Sequence, residues 1–296
     1  MNKKALLGSF LLLITATVWG VAFVAQSVGM DHLNAFAFNG IRNAIGVVVL
    51  LPVLAVTRTV SKKETTPKLF SKDLVIGGLL CGVTLCIASN FQQLGIEHST
   101  VGKSAFITTL YIVLVPILGL FFKKKVSFQV WISVVLAMIG LFLLCMKNEV
   151  FVLEIGDIYL ILCAFFFTLQ IMAVDHYVQK TDGVALSIMQ FFVTAVISGI
   201  CMLFTEVPSW SDISAAAIPL LYAGAISCGV GYTLQIIAQK YVPATIASII
   251  MSLESVIAAL AGWVLLHEIL STKELLGCTL VFAAVILTQL PLGKKS

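Results

Sequence analysis

Ten runs of about 20 mostly apolar residues follow one another along this 296-residue chain, divided by short polar breaks. That is the length an α-helix needs to cross the hydrocarbon core of a bilayer. The runs cover residues 6–28, 35–56, 74–94, 104–122 and 126–146, then 155–174, 184–204, 215–237, 245–266 and 270–290. Strands of a membrane barrel would be shorter and would alternate apolar with polar positions, a pattern this chain lacks. The first run reaches residue 28, too far for the apolar part of a signal peptide, about 7 to 15 residues. It therefore reads as the first membrane helix. The longest polar connection, residues 57–73, leaves no room for a catalytic domain outside the membrane. Only 11% of the residues are charged and the mean hydropathy is +1.08, against about 25% charged in an ordinary soluble domain. The chain reads as an all-α integral membrane protein in contact with the lipid bilayer.

The formal charge of +4 then reports on loop asymmetry rather than on nucleic acid, for which no basic, aromatic-interleaved stretch exists. With the N-terminus in the cytoplasm, one face collects Lys3, Lys4, Arg58, Lys62, Lys63, Lys68, Lys72, Lys123, Lys124, Lys125, Lys180, Lys240, Lys294 and Lys295. The other keeps only Lys103, Lys147 and Lys273. Positive charge favours the cytoplasmic side, so both termini are expected there. The seven cysteines all fall in apolar runs without CxxC spacing, and read as small buried side chains rather than a disulfide frame or zinc site. No HExxH, GxSxG or P-loop occurs, and His32, His98, His176 and His267 stand at helix ends without metal spacing. Neither a catalytic residue, a metal site nor a cofactor is expected.

The ten runs divide evenly at the polar break 147–154, giving units 5–146 and 155–291. A shift of about 143 residues sets Gln235 on Gln92, Ser248 on Ala105, Leu253 on Leu110 and Glu254 on Tyr111. Identity between the halves is low, but the order of polar helix end, tight turn, hydroxyl-rich helix and apolar helix is shared. Five crossings per half is an odd number, so the halves enter the membrane in opposite directions. Inverted repeats of this kind place a substrate site near the midplane, between the halves.

Polar residues inside the runs mark where such a site would lie. Glu254 falls near the middle of the ninth run, where an ionisable group costs at least about 2.5 kcal/mol and faces a cavity or a partner. It reads either as a carboxylate that couples transport to a proton or binds an amine, or as a hydrogen bond between helices. Arg42 lies about 10 to 12 Å below the end of the second run. It reads either as an anchor for a carboxylate or as a structural arginine that snorkels outward. Their different depths argue against an ion pair between the two. Gln92 and Gln235, equivalent by the repeat, read as neutral groups flanking a central site or as interhelical hydrogen bonds. Cys228, Tyr232, Gln235 and Gln239 recur at helical spacing, which predicts a stripe along the cavity. Trp19 is deeper than an interfacial aromatic, and Tyr111 completes the set. Pro116 and Pro219 are predicted kinks, and Gly78 with Gly82, Ala225 with Gly229 and Ala258 with Gly262 predict close helix contacts. The fifth and tenth runs are plain and are expected at the periphery.

TATVWGVAFV at residues 15–24, FNGIRNAIG at 38–46 and AQKYVPATIASIIMSLESVIAALAGWVLLHEIL at 238–270 resemble the ten-helix drug/metabolite transporter superfamily, in particular its EamA-type permeases. The resemblance spans nearly the whole chain. It departs from the family's pattern at Ser255, where a proline is usual after the glutamate, and Glu268 matches the glutamate at the end of the ninth helix. The resemblance implies gradient-driven transport or facilitated exchange of small metabolites, often amino acids. The expected function is secondary transport of a small polar or amphipathic metabolite, an amino acid or a related compound, by alternating access. Trp19, Arg42, Gln92, Tyr111, Tyr232, Gln235 and Glu254 would line or gate the cavity, and Glu254 is the candidate for coupling to a proton. The alternatives are export of drugs or nucleotide-linked sugars, a lipid-modifying intramembrane enzyme, and a membrane interaction partner.

Overall fold

The computed structural model describes residues 3–60, 71–99, 101–145, 153–205, 207–265 and 270–290. All ten apolar runs are helical. The first three crossings are single helices, α1 (Lys3–Met30), α2 (Ala35–Val60) and α3 (Lys72–Glu97). The fourth is divided into α4 (Val101–Thr108) and α5 (Tyr111–Phe121), and α6 (Phe128–Cys145) closes the first half. The second half opens with α7 (Ile155–Tyr177) and α8 (Gly183–Thr205), followed by a short surface helix, α9 (Trp210–Ala215). The eighth crossing runs through α10 (Ala217–Leu221), a π-helical stretch (Tyr222–Tyr232) and α11 (Thr233–Gln239). The ninth is divided into α12 (Ala244–Met251) and α13 (Leu253–Leu265), and the tenth is α14 (Thr272–Gln289). Among the described residues, nine crossings are long and apolar enough to span a membrane, while the apolar part of α6 is a little shorter. Expectations resting on Lys62, Lys63, Lys68, Lys147, His267, Glu268, Lys294 and Lys295, and on the side chains of Cys145 and Gly262, lie outside the described residues.

Caps begin the helices where the chain leaves the surface. Ser71 accepts the amide of Leu74, and Glu154 with Asp157 and Ser271 with Glu274 form capping boxes at α7 and α14. Each satisfies amides that the helix itself leaves unpaired. The fifth and tenth crossings pair with each other and present Phe128, Val135, Phe142, Leu276 and Ile286 outward. A Cβ added to Gly277 would lie 2.6 Å from the carbonyl oxygen of Gly140, so α6 and α14 meet backbone to backbone. Gly78 and Gly82 face Met189 and Val193 of α8, and Gly229 faces Val49 of α2. These are the close approaches small residues permit.

Three backbone features differ from expectation. In the fourth crossing Pro116, an expected kink, lies inside α5. The crossing breaks nearly two turns earlier, where Leu110 N–H bonds to Ile107 O and Ile112 N–H to Thr109 O, a switch to i→i−3 pairing. The Thr109 hydroxyl bonds back to Ala105 O, a contact that bends helices. The ninth crossing breaks in the same way at Ser252, whose hydroxyl bonds to Ile249 O at 2.7 Å. α4 and α12 are both eight residues long and are offset by the 143 residues that separate Tyr111 from Glu254. Pro219, the other expected kink, lies in the eighth crossing. It stands in the five-residue α10, and the irregularity is the π-helical stretch after it. Glycines 224 and 231 admit neighbours there: a Cβ on Gly224 would meet Ile45 at 2.6 Å, and one on Gly231 would meet Trp19 Nε1 at 2.7 Å.

Candidate functional site

Local packing brings the functional side chains together. On α1, Trp19, Ala22, Phe23 and Gln26 recur at helical spacing and face one cavity. α1 approaches α13 so closely at Gly20 that a Cβ there would lie 2.7 Å from Glu254 O. On α2, Arg42 is positioned by Gly224, where a Cβ would stand 2.9 Å from the arginine's own carbonyl oxygen. α3 supplies Gln92, α4 Thr108 and α5 Tyr111 from the first half. The second half contributes Phe167 and Gln170 from α7, Ser227 and Tyr232 from the π-helical stretch, Gln235 from α11 and Glu254 from α13. The cavity is narrow, about 30 Å³ in volume. It takes its wall from both halves. All seven residues singled out in the sequence border it.

Two ionisable groups stand in the cavity without meeting. Arg42 is 3% exposed and donates from one terminal nitrogen to Gln26 Oε1 at 2.9 Å. Gln26 is fixed in turn by its own bond to Ala22 O and by Gln93, whose side chain donates to Gln26 O. The guanidinium also lies over the Phe38 ring, 5.6 Å from its centroid, while Nε has no partner. Glu254 accepts a hydrogen bond from the Tyr111 hydroxyl at 2.9 Å. No carboxylate lies within ion-pair distance of Arg42 among the described residues. Since Tyr111 and Glu254 are equivalent by the repeat, residues bonded to their own counterparts mark the axis relating the halves. A second contact beside it, Thr109 to Ser255 at 2.9 Å, ties the two broken helices together. Ser255 thus uses the place of the usual proline for a bond between halves.

Aromatic rings close one side. Trp19 and Tyr232 are 4.5 Å apart between centroids, and Phe191 meets Tyr232 edge-on at 5.9 Å. The expected stripe on the eighth crossing is only half present. Tyr232 and Gln235 line the cavity, but Cys228, inside the π-helical stretch, and Gln239, a turn beyond Gln235 at the end of α11, do not. Gln26, Thr108, Phe167, Gln170 and Ser227 were not among the seven. For Gln26 the signal existed, since it lies seven residues from Trp19 on the same face of α1.

The seam between α4–α5 and α7 carries charge at each end. At one end Lys103, 7% exposed, reaches Asp157 at 2.9 Å and Glu154 at 3.8 Å. The lysine was expected at the outer surface, yet it is buried in the first turn of α4, where Asp157 of α7 draws it in. At the other end Lys124 pairs with Asp175, which also accepts the Ala244 amide at the start of α12 at 3.2 Å.

The sequence matches the EamA-like transporter family twice, over residues 6–146 and 154–290. The chain belongs to the EamA-like transporter family. An uncharacterized transporter of Archaeoglobus fulgidus is 29% identical over 288 residues, covering 97% of this chain and 87% of that one. The uncharacterized transporter YoaV of Bacillus subtilis is 23% identical over 299 residues, 99% of each chain. A solved structure titled only as a crystal structure of a protein shares the fold at a TM-score of 0.77 and 13% identity, covering 95% of this chain and 96% of that one. The protein is a multi-pass membrane transporter of the EamA type, its halves each one EamA domain.

Proposed function

We propose that this EamA-type protein is a secondary transporter that moves a small polar or amphipathic metabolite, an amino acid or a related compound, by alternating access and without chemical conversion. Its cavity is the cargo site, and both termini face the cytoplasm from the inner membrane. The observation that carries this reading is the pair Arg42 and Glu254, two buried ionisable side chains that border one cavity without forming an ion pair. A buried guanidinium with one neutral partner is poorly compensated. A cargo carboxylate would complete it, and a cargo ammonium would face Glu254. The Lys103–Asp157 and Lys124–Asp175 pairs, at opposite ends of one seam between the halves, support closure at both faces, with one opening at a time.

A thermal-stability screen of the purified protein over metabolites tests this, because a ligand at 100 times its dissociation constant stabilises by about 2.7 kcal/mol. A stabilising carboxylate or amino acid is expected. Its effect is expected to vanish in Arg42→Ala and to weaken in Glu254→Gln. Stabilisation that persists in both variants would refute the assignment of the cavity.

A further inference from the structure

Four glutamines, gathered from three helices, form a continuous chain beside the cavity. Gln239 donates from Nε2 to the backbone carbonyl of Ile171 at 2.9 Å. Gln235 Nε2 donates to Gln239 Oε1 at 3.0 Å and to Gln170 Oε1 at 3.4 Å. Gln170 Nε2 then donates to Gln190 Oε1 at 3.2 Å. An isolated amide can be turned over without changing its shape, so the direction of such a chain must come from a group with only one role. The carbonyl of Ile171 is that group: it can only accept, so the amino end of Gln239 faces it. Gln239 therefore offers oxygen to Gln235, which must answer with nitrogen, and Gln170 inherits the same sense. Gln235 spends both N–H groups inside the protein. Its Oε1 is left without a partner on a side chain that is fully buried and borders the cavity.

We propose that the cavity selects its cargo by a hydrogen-bond donor presented to Gln235 Oε1, an amino or ammonium group, and that Gln239, which does not reach the cavity, is the positioning residue that fixes this choice. The inference rests on the cavity being the cargo site. An oxygen that cannot exchange places with its nitrogen leaves a cargo carbonyl facing another acceptor, with both unpaired. A site built to hydrogen-bond one group discriminates strongly against analogues that lack it. The complementary end is set in the same way. Gln26 gives its nitrogen to Ala22 O, so its oxygen takes Arg42, and the guanidinium Nε remains as a donor for a cargo acceptor.

The test uses the purified full-length protein and three probe pairs: L-leucine, L-phenylalanine and L-glutamine, each beside the 2-oxo acid of the same skeleton. Apparent dissociation constants come from thermal stability against concentration. The wild type is expected to favour the amino member of the pair that binds by about tenfold or more. Gln239→Leu releases the Gln235 amide and is expected to bring that ratio close to one. Gln235→Leu removes the acceptor and is expected to lose the preference. This second variant decides the matter if Gln239→Leu does not fold. Equal binding of both members to the wild type would overturn the inference and leave the transport reading intact. A ratio unchanged in Gln239→Leu and in Gln235→Leu, with both members weakened alike, would mean that the glutamines only hold the helices together. Binding of no probe in any pair would overturn the inference and the proposed cargo class together.

Discussion

At the scale of single residues, the bond between Tyr111 and Glu254 is the most exposed to test. Tyr111→Phe leaves a buried carboxylate oxygen without its donor, and a loss of about 1 to 3 kcal/mol is expected, read as a lowered unfolding midpoint in detergent. Glu254→Gln can still accept that bond but carries no charge. If the carboxylate couples cargo to a proton, this variant loses transport driven by a pH gradient yet keeps counterflow exchange in reconstituted vesicles; a pH dependence equal to that of the wild type would refute the coupling role. Arg42→Lys is expected to recover little of what Arg42→Ala loses, since an ammonium lacks the planar donor set. The cost of burying charge in a bilayer made Arg42 and Glu254 visible from sequence alone. Gln26 escaped notice because one glutamine near a helix end carries no such cost, and its importance lies in the arginine it holds. The Gln239 bond to Ile171 joins residues 68 positions apart, and nothing local in the sequence signals it.

At the scale of helices, the two ion pairs of the α7 seam should behave differently. Lys103→Met strands the fully buried Asp157 and is expected to cost about 3 to 5 kcal/mol; adding Asp157→Asn should return part of that loss. Lys124 is 45% exposed in its pair with Asp175, and Lys124→Met is expected to cost about 1 kcal/mol or less. Equal losses in the two single variants would argue against the burial difference. Glycines allow a parallel comparison. Gly277→Ala forces a methyl into the α6 backbone and is expected to destabilise by about 1 to 3 kcal/mol. A Cβ on Gly119 meets only Lys124 Cβ, at 3.9 Å, so Gly119→Ala is expected to be neutral or to stabilise by about 0.5 to 1 kcal/mol. Helix existence was readable because length and apolarity alone decide what crosses a bilayer. The breaks were not: Thr109 and Ser252 resemble any hydroxyl residue in a helix, and both prolines stand away from them. The π-helical stretch was also hidden, since it depends on how α1 and α2 press against glycines 224 and 231.

At the scale of the whole molecule, the proposal that both termini face the cytoplasm is open to direct test. Fluorescent-protein fusions at either terminus should both light up in the bacterial cytoplasm. Alkaline phosphatase inserted between α8 and α9 should be active outside; the opposite pattern would invert the assignment. The bond between Tyr111 and Glu254 also bears on how such a chain could arise from one ancestral half. A protein made of two copies of the present first half would bring two phenols to the shared axis, and one made of two second halves would bring two carboxylates, which repel. Only the mixed chain sets a donor against an acceptor there. The halves can no longer stand in for one another, and a fusion of duplicated second halves is expected to assemble poorly until one of its two axial glutamates is replaced by tyrosine.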